Sequence, residues 1–372
     1  MPITIQPYTE DRVPAVKDFN IRLKRAGAFS DFLFFENHTP ESLPKLPGRE
    51  IYEEYFVAIE GANVRGAFAL KHQRFSFFGD IEPVSFYHFP LSEGIINRAY
   101  INVGIHMLRG ALRDHPVMFA LGMGGFEQPL PRMLKALGWS MTLVPFYFRV
   151  VRPFRFLRGM AELRRFTAGR VIADLAAFSG LGSLGIRLVH AWRSQSKTKY
   201  DSVKAEQVEN FGIWADDIWN SSRARYSMIG ERDQRNLNIL YPRDSKFIRL
   251  KITKDGASIG WIVLLDTQMQ TNRHFGNLRV GSIVDCLALP EDAGDVIHAG
   301  AEFLHNRSVE LIISNQLHKA WTTALARNGF LKATSNCVFA TSPQLSALLR
   351  PFEASVSEAH LNRGDGDGPI HL

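Results

Sequence analysis

The strongest constraint on this chain is an order of elements that occurs twice along it. In the first half, β-rich runs at 54–60 and 64–77 flank Gly61-Ala62-Asn63, a hairpin signal. An apolar strand at 84–92 follows, then a helical run at 97–113 with Ile101, Ile105, Leu108 and Leu112 on one face. A buried-type strand at 117–125 ends in glycines, a short helix at 129–139 stops at Gly138, and an aromatic strand at 141–151 closes the set. Residues 200–345 repeat this order. A hairpin turns at Asp255-Gly256 within 247–266, a strand spans 280–290, a helix 293–306, a strand 309–315, a helix 318–330 and a last strand 332–341. Apolar spacing that alternates between strand and helix periods in this order builds a sheet covered by helices, and a second copy builds a second one. The expected fold class is α/β with mixed (α+β) sheets, in two tandem domains.

Length agrees, since 372 residues exceed what one core usually organises. The expected bounds are 1–151 for the first domain, 152–199 for a basic helical linker, 200–350 for the second domain and 351–372 for an acidic, glycine-rich tail.

The net charge of +7 is concentrated. Residues 149–199 hold nine arginines (Arg149, Arg152, Arg155, Arg158, Arg164, Arg165, Arg170, Arg187 and Arg193) and two lysines (Lys197 and Lys199), against Glu162 and Asp174 alone. With Phe154, Phe156, Leu157, Met160, Leu163 and Phe166 interleaved, this segment reads either as a helix packed between domains with a solvated basic face or as a basic amphipathic helix on an anionic membrane. Nucleic acid is not an expected partner, because no recognised binding module is visible. No run of about 18 apolar residues and no secretory pattern is seen. The two cysteines, Cys286 and Cys337, lie outside any paired motif. The location expected is cytoplasmic, with peripheral attachment at the inner membrane as the alternative use of 152–199. Histidines are scattered without metal-ligand spacing, so no metal site is expected.

Several residues carry the chemistry a site here could use. Asp285 interrupts the apolar run SIVDC, and a carboxylate there needs a partner such as Arg279 or Arg249, or a function. His88, within SFYHF, and Glu127, after the turn Gly122-Met123-Gly124-Gly125, are further candidate bases. Tyr87 and Tyr147 are candidate acids with an aromatic core role as the alternative. In the turn Ser314-Asn315-Gln316-Leu317-His318-Lys319, Ser314 or Asn315 reads as the N-cap of the next helix. The tail Asn362-Arg363-Gly364-Asp365-Gly366-Asp367-Gly368 reads as an acidic glycine tail or as a segment returning to a basic site.

The strand–helix–strand–helix–strand order resembles the GNAT (GCN5-related N-acetyltransferase) superfamily. The local likeness lies in Asn315, Ala320 and Leu325-Ala326-Arg327-Asn328-Gly329-Phe330, similar to the family's late helix, and in Leu134-Lys135-Ala136-Leu137-Gly138-Trp139 in the first half. The duplication resembles tandem acyltransferase-fold proteins of bacterial exopolysaccharide clusters. The resemblance implies an acyl-CoA donor, acetyl-CoA or another, and an amino or hydroxyl acceptor on a small molecule, sugar or cell-surface glycan precursor. It places His88, Glu127 and Asp285 as catalytic candidates, and Ser92, Gly94, Asn97, Arg98 and Asn315 as donor-binding candidates. The family's pyrophosphate loop, Arg/Gln-x-x-Gly-x-Gly/Ala, is matched neither by Leu91–Ala99 nor by the acidic Glu291-Asp292-Ala293-Gly294-Asp295. Two other readings are a tRNA-dependent aminoacyl transferase of the peptidoglycan-bridge type and a non-catalytic accessory protein that binds a glycan or a membrane assembly.

Overall fold

The computed structural model describes residues 2–27, 33–159, 200, 202–272 and 275–366. The basic stretch 160–199 and the residues beyond Gly366, with Asp367, lie outside the described residues, so the linker reading falls there almost entirely.

The chain divides into two compact units. The first comprises residues 1–75, 81–142 and 338–352; the second comprises 76–80, 143–337 and 353–372.

The first unit is a path of hydrogen-bonded strands in the order β1 (Thr4–Pro7), β2 (Tyr52–Glu60), β3 (Asn63–Phe77), β4 (Asp80–Ser92), β5 (Met118–Gly122), β15 (Val338–Thr341) and β6 (Ser140–Leu143). Helix α1 (Val13–Arg25) buries Val16, Phe19 and Leu23, spaced three and four apart, and leaves Ile21 exposed. Helices α2 (Val103–Asp114) and α3 (Pro129–Ala136) bury Met107, Leu108 and Leu134 against Phe68, Tyr87, Met118 and Ala120 of the sheet. The opposite face is aromatic: Phe119 meets Phe75, Phe86 and Phe339 at ring distances of 5.6, 5.0 and 5.8 Å.

The second unit repeats the order as β8 (Val203–Gln207), β10 (Ile248–Lys254), β11 (Ala257–Gln268), β12 (Arg279–Ala288), β13 (Leu311–Asn315), β7 (Phe146–Val150) and β14 (Leu331–Ala333). Its hairpin turns at Asp255 and Gly256, both at positive φ, the turn that matches the twist of the flanking strands. Helices α7 (Ala293–Asn306) and α8 (Lys319–Arg327) belong to this unit, and each lies between two of its strands in sequence.

Two strand readings are corrected here. Residues 141–151 are two strands, broken around Pro145, whose ring removes a ladder donor. Its first part, β6, stays in the first sheet, while β7 pairs with β13 and β14 of the second. Residues 332–341 break at Ser335-Asn336-Cys337; β14 stays in the second sheet and β15 pairs with β5 of the first. Along its main path each sheet therefore borrows one strand from the other half of the sequence, at the same place in its order. Among the described residues no helix is long and apolar enough to cross a membrane.

The aromatic face of the first unit supplies a direct test. Phe119→Ala should lower the unfolding free energy by about 3–5 kcal/mol, the usual loss for a buried aromatic ring. Urea denaturation measures it, and a loss below about 1 kcal/mol would show that this face does not hold the sheet.

Candidate functional site

In each unit one pair of parallel strands starts together and then parts. In the first, β4 and β5 pair at Ser85↔Met118 and Phe86↔Phe119, and there the register ends. β5 continues to Gly122 alongside β15, whereas β4 continues to Ser92 on its own course. His88 stands in this parting stretch. Its ring stacks on Phe86 at 4.8 Å, and its Nε2 lies 3.8 Å from Glu53 Oε1. The next residue, Phe89, has φ of +54°, a left-handed backbone that costs a non-glycine residue about 1–3 kcal/mol unless its surroundings hold it. Phe35, 5.2 Å away ring to ring, holds it. The facing lip is Gly122–Gly125, four consecutive residues at positive φ, with Met123 the one among them that carries a side chain. That run ends β5 in left-handed backbone, beyond the last β4–β5 pair.

The donor-binding candidates Ser92, Gly94, Asn97 and Arg98 lie together in two successive 3-10 turns that lead into α2. Their polar groups mostly serve the loop itself. Ser92 Oγ accepts from Gly94 N at 3.1 Å, and Asn97 Oδ1 accepts from Ala99 N at 3.0 Å. The Glu93 carbonyl takes the N–H groups of Ile96 and Asn97, and the Asn97 carbonyl takes that of Tyr100. A Cβ on Gly94 would fall 2.7 Å from the Tyr100 carbonyl oxygen, so its place is dictated by this fold-back. The buried Glu93 carboxylate is clamped by Arg22 at 3.0 Å and Arg65 at 3.0 Å. Arg98 is exposed, and the first turn of α2 carries no side-chain cap. Glu127 is elsewhere: its side chain is 84% exposed and pairs with Arg132, which keeps its pKa below the usual carboxylate range.

The second unit has the same geometry with a different outcome. β12 and β13 pair from Val280↔Leu311 to Ile283↔Ser314 and then part. The opening is occupied by the chain's own residues 359–365. β16 (Ala359–His360) pairs with β9 (Met228–Gly230). His360 Nε2 donates to the Cys286 carbonyl at 2.7 Å, the Leu317 N–H donates to the Leu361 carbonyl at 3.0 Å, and Gln316 bridges Asn362. Asn362 Nδ2 then reaches Asp285 Oδ1 at 2.7 Å.

Asp285, fully buried, is the centre of this arrangement. Its oxygens also accept from Arg232 Nε at 2.7 Å, Tyr241 Oη at 2.7 Å and the Cys286 N–H at 2.9 Å. Arg232 spans to Asp365 Oδ1 at 2.6 Å, with no exposure on either side. Burial alone would lower the Arg232 pKa; Asp285 and Asp365 together raise it, so the guanidinium stays charged. The partner expected for Asp285, Arg279 or Arg249, is corrected. Arg279 pairs with Asp266, and Arg249 donates to the carbonyls of Tyr241, Pro242 and Arg243. Enclosed by four donors, Asp285 is an anchor in this structure. Asn315 remains in β13, opposite Phe146, and its Nδ2 donates to the Pro145 carbonyl at 3.4 Å. The N-cap of α8 is His318, whose Nδ1 accepts from Ala320 N at 3.1 Å, because residues 316 and 317 are taken up by bridging to 361 and 362. The loop before α7 is acidic as expected. Burial, followed by the carboxylates Asp295 and Glu291, raises the Asp292 pKa despite Lys254.

No family model matches the sequence, and no curated protein matches it either. Solved structures do. The Saccharomyces cerevisiae N-myristoyltransferase, determined with bound myristoyl-CoA and inhibitors, matches with a TM-score of 0.52 over 92% of this chain and 80% of its own, at 10% identity. A conserved protein of unknown function from Enterococcus faecalis V583, described as a probable N-acyltransferase, matches with a TM-score of 0.50 over 94% of this chain and 74% of its own, at 11% identity. A GCN5-related N-acetyltransferase from Anabaena variabilis ATCC 29413 also gives 0.50, over 91% and 72%, at 11% identity. The chain has the GNAT fold, twice over. At these identities the likeness extends to the fold, and the chemistry rests on the residues themselves.

Sequence reasoning missed Glu53 beside His88, the kink at Phe89, and the anchors Arg232, Tyr241 and Asn362. Arg232 sits in Gly230-Glu231-Arg232-Asp233, where nothing separates it from a surface charge. The return of the tail to a basic residue is realised by Asp365.

Two outcomes follow for the second unit. Removing the bridging cation, as in Arg232→Met, leaves two carboxylates buried together and should cost about 3–5 kcal/mol in urea denaturation; a loss below about 1 kcal/mol would contradict the anchor. Burial, and then the nearby His360, lowers the His318 pKa to about 4. A folded-state pKa below the unfolded value of about 6.5 means full stability above that pH, lost progressively as pH falls toward 4. The denaturation midpoint should decline through this window, and His318→Gln should flatten the decline. An identical slope in the variant would remove His318 from the account.

Proposed function

We propose that this chain transfers an acyl group from acyl-CoA to an amino or hydroxyl group of a sugar or cell-surface glycan precursor, at the parting of β4 and β5 in the first unit. The observation that carries this reading is the contrast between the two partings. The second is taken up by residues 359–365, whereas the first has His88, a kinked strand and a glycine lip along it. In this reading the acyl thioester lies along residues 87–91 of β4. His88, with Glu53 beside it, takes the proton of the attacking amine or hydroxyl. Backbone N–H groups turned by the kink polarise the thioester carbonyl. Arg98 and the uncapped first turn of α2 draw the pyrophosphate. The glycan acceptor follows the resemblance to tandem proteins of exopolysaccharide clusters; attachment to anionic membranes through 152–199 follows the interleaved arginines and aromatics of that segment, and a cytoplasmic site of action follows the isolated cysteines.

The internally paired loop at 92–101 favours a second reading, a non-catalytic binding protein, and one titration separates the two. Isothermal titration with acetyl-CoA and a medium-chain acyl-CoA should show micromolar binding. Arg98→Ala should weaken it about tenfold, the loss of one charge-assisted contact. His88→Gln should leave donor affinity intact and lower the turnover number, as expected of a group acting in the transition state. Absence of binding to either donor would overturn the transferase reading in favour of the accessory one.

A further inference from the structure

The first unit carries a second constellation on the other face of β4. Ser85 and His88 are an odd number of residues apart on this strand, so they point to opposite sides of the sheet. Ser85 Oγ lies 3.0 Å from His72 Nδ1. His72 Nε2 lies 3.0 Å from Glu54 Oε2, in a bent rather than linear contact. Glu54 is held in turn by Lys45 at 2.8 Å. A carboxylate facing Nε2 favours the tautomer with its proton there, which leaves Nδ1 to accept from the serine hydroxyl. The His72 ring is fixed between Tyr52 and His115, at 4.7 and 4.8 Å. The close contact with His72, ahead of opposing burial, lowers the Glu54 pKa to about 2, so this carboxylate is ionised at any ordinary pH. Burial lowers the His115 pKa and keeps that second imidazole neutral, able to donate one N–H. Ser85, His72 and His115 all line one pocket of about 330 Å³, whose other walls include the apolar Pro83, Val84 and Pro116.

From this geometry we infer that Ser85, His72 and Glu54 form a nucleophilic triad that cleaves small, uncharged acyl esters or thioesters in this pocket. Ser85 Oγ attacks the carbonyl carbon while its proton passes to His72 Nδ1. The bond from the carbonyl carbon to the leaving oxygen or sulfur breaks, and His72 gives its proton to the departing alcohol or thiol. Water then attacks the acyl-serine ester with His72 taking its proton, the carboxylic acid leaves, and the proton returns to Ser85. Glu54 stabilises the imidazolium in both halves, and His115 stands as the donor to the carbonyl oxygen. No oxidant, metal or co-reactant besides water is required. The site is independent of the acyl-CoA slot, so either reading can fail without the other.

The test is labelling of the full folded chain with an alkyl fluorophosphonate, with the adduct mapped by peptide mass spectrometry, beside hydrolysis of p-nitrophenyl acetate. One adduct on Ser85 is expected, absent from urea-denatured chain. His72→Gln should slow both labelling and hydrolysis about 100-fold, the usual contribution of a general base. Ser85→Ala should abolish both with an unchanged circular dichroism spectrum. Wild-type chain that takes no label, or takes it at another residue, overturns the assignment, and this mapping decides even where a variant fails to fold.

Discussion

Two parallel strands that part leave backbone donors and acceptors facing a gap, and a folded chain must give each of them a partner. This chain builds that gap twice. In the second unit residues 359–365 answer it, donating to and accepting from β12 and the turn after β13. That insertion needs Arg232, which holds one carboxylate from the strand and one from the inserted segment in a site without solvent. In the first unit the answer is a left-handed kink at Phe89 and a glycine lip at 122–125, which shape the gap instead of filling it. The different roles proposed for the two halves follow from these two solutions to one backbone problem.

The exchange of strands ties the halves together at the level of sequence order. Counted from β1 and from β8, β15 and β7 each occupy the sixth place along a path of strands whose other members come from the other half of the chain. A cut near residue 151 would therefore remove β15 from the first sheet and β7 from the second. Neither sheet could be complete without the full sequence.

Much of this was legible in the residues. The doubled element order named the fold, because strand and helix periods are local properties that packing reinforces. The hairpins at Gly61 and Asp255-Gly256 and the helix ends at Gly138 and Gly329 were legible for the same reason: a positive φ asks for glycine nearby. The exchange was not legible: Pro145 and Ser335-Asn336 interrupt the runs 141–151 and 332–341, but only pairing reveals that the two parts of each belong to different sheets. Asp285 announced itself by interrupting an apolar strand, yet its partner came from a charged stretch with no mark of burial. His88 and Ser85 were both visible as polar residues in β4, but a strand shows its neighbours only after the sheet has formed. The pairing of Ser85 with His72, thirteen residues away, is a cross-strand fact.

The central claim is that the first parting receives the acyl donor and the second is closed by the chain itself. Hydrogen–deuterium exchange with and without acetyl-CoA tests it directly. The account predicts slower exchange at 87–101 and 122–128 on donor binding, with 285–290, 314–318 and 359–365 unchanged. Protection confined to the second unit, or faster exchange at 359–365 as the donor displaces that segment, would contradict it.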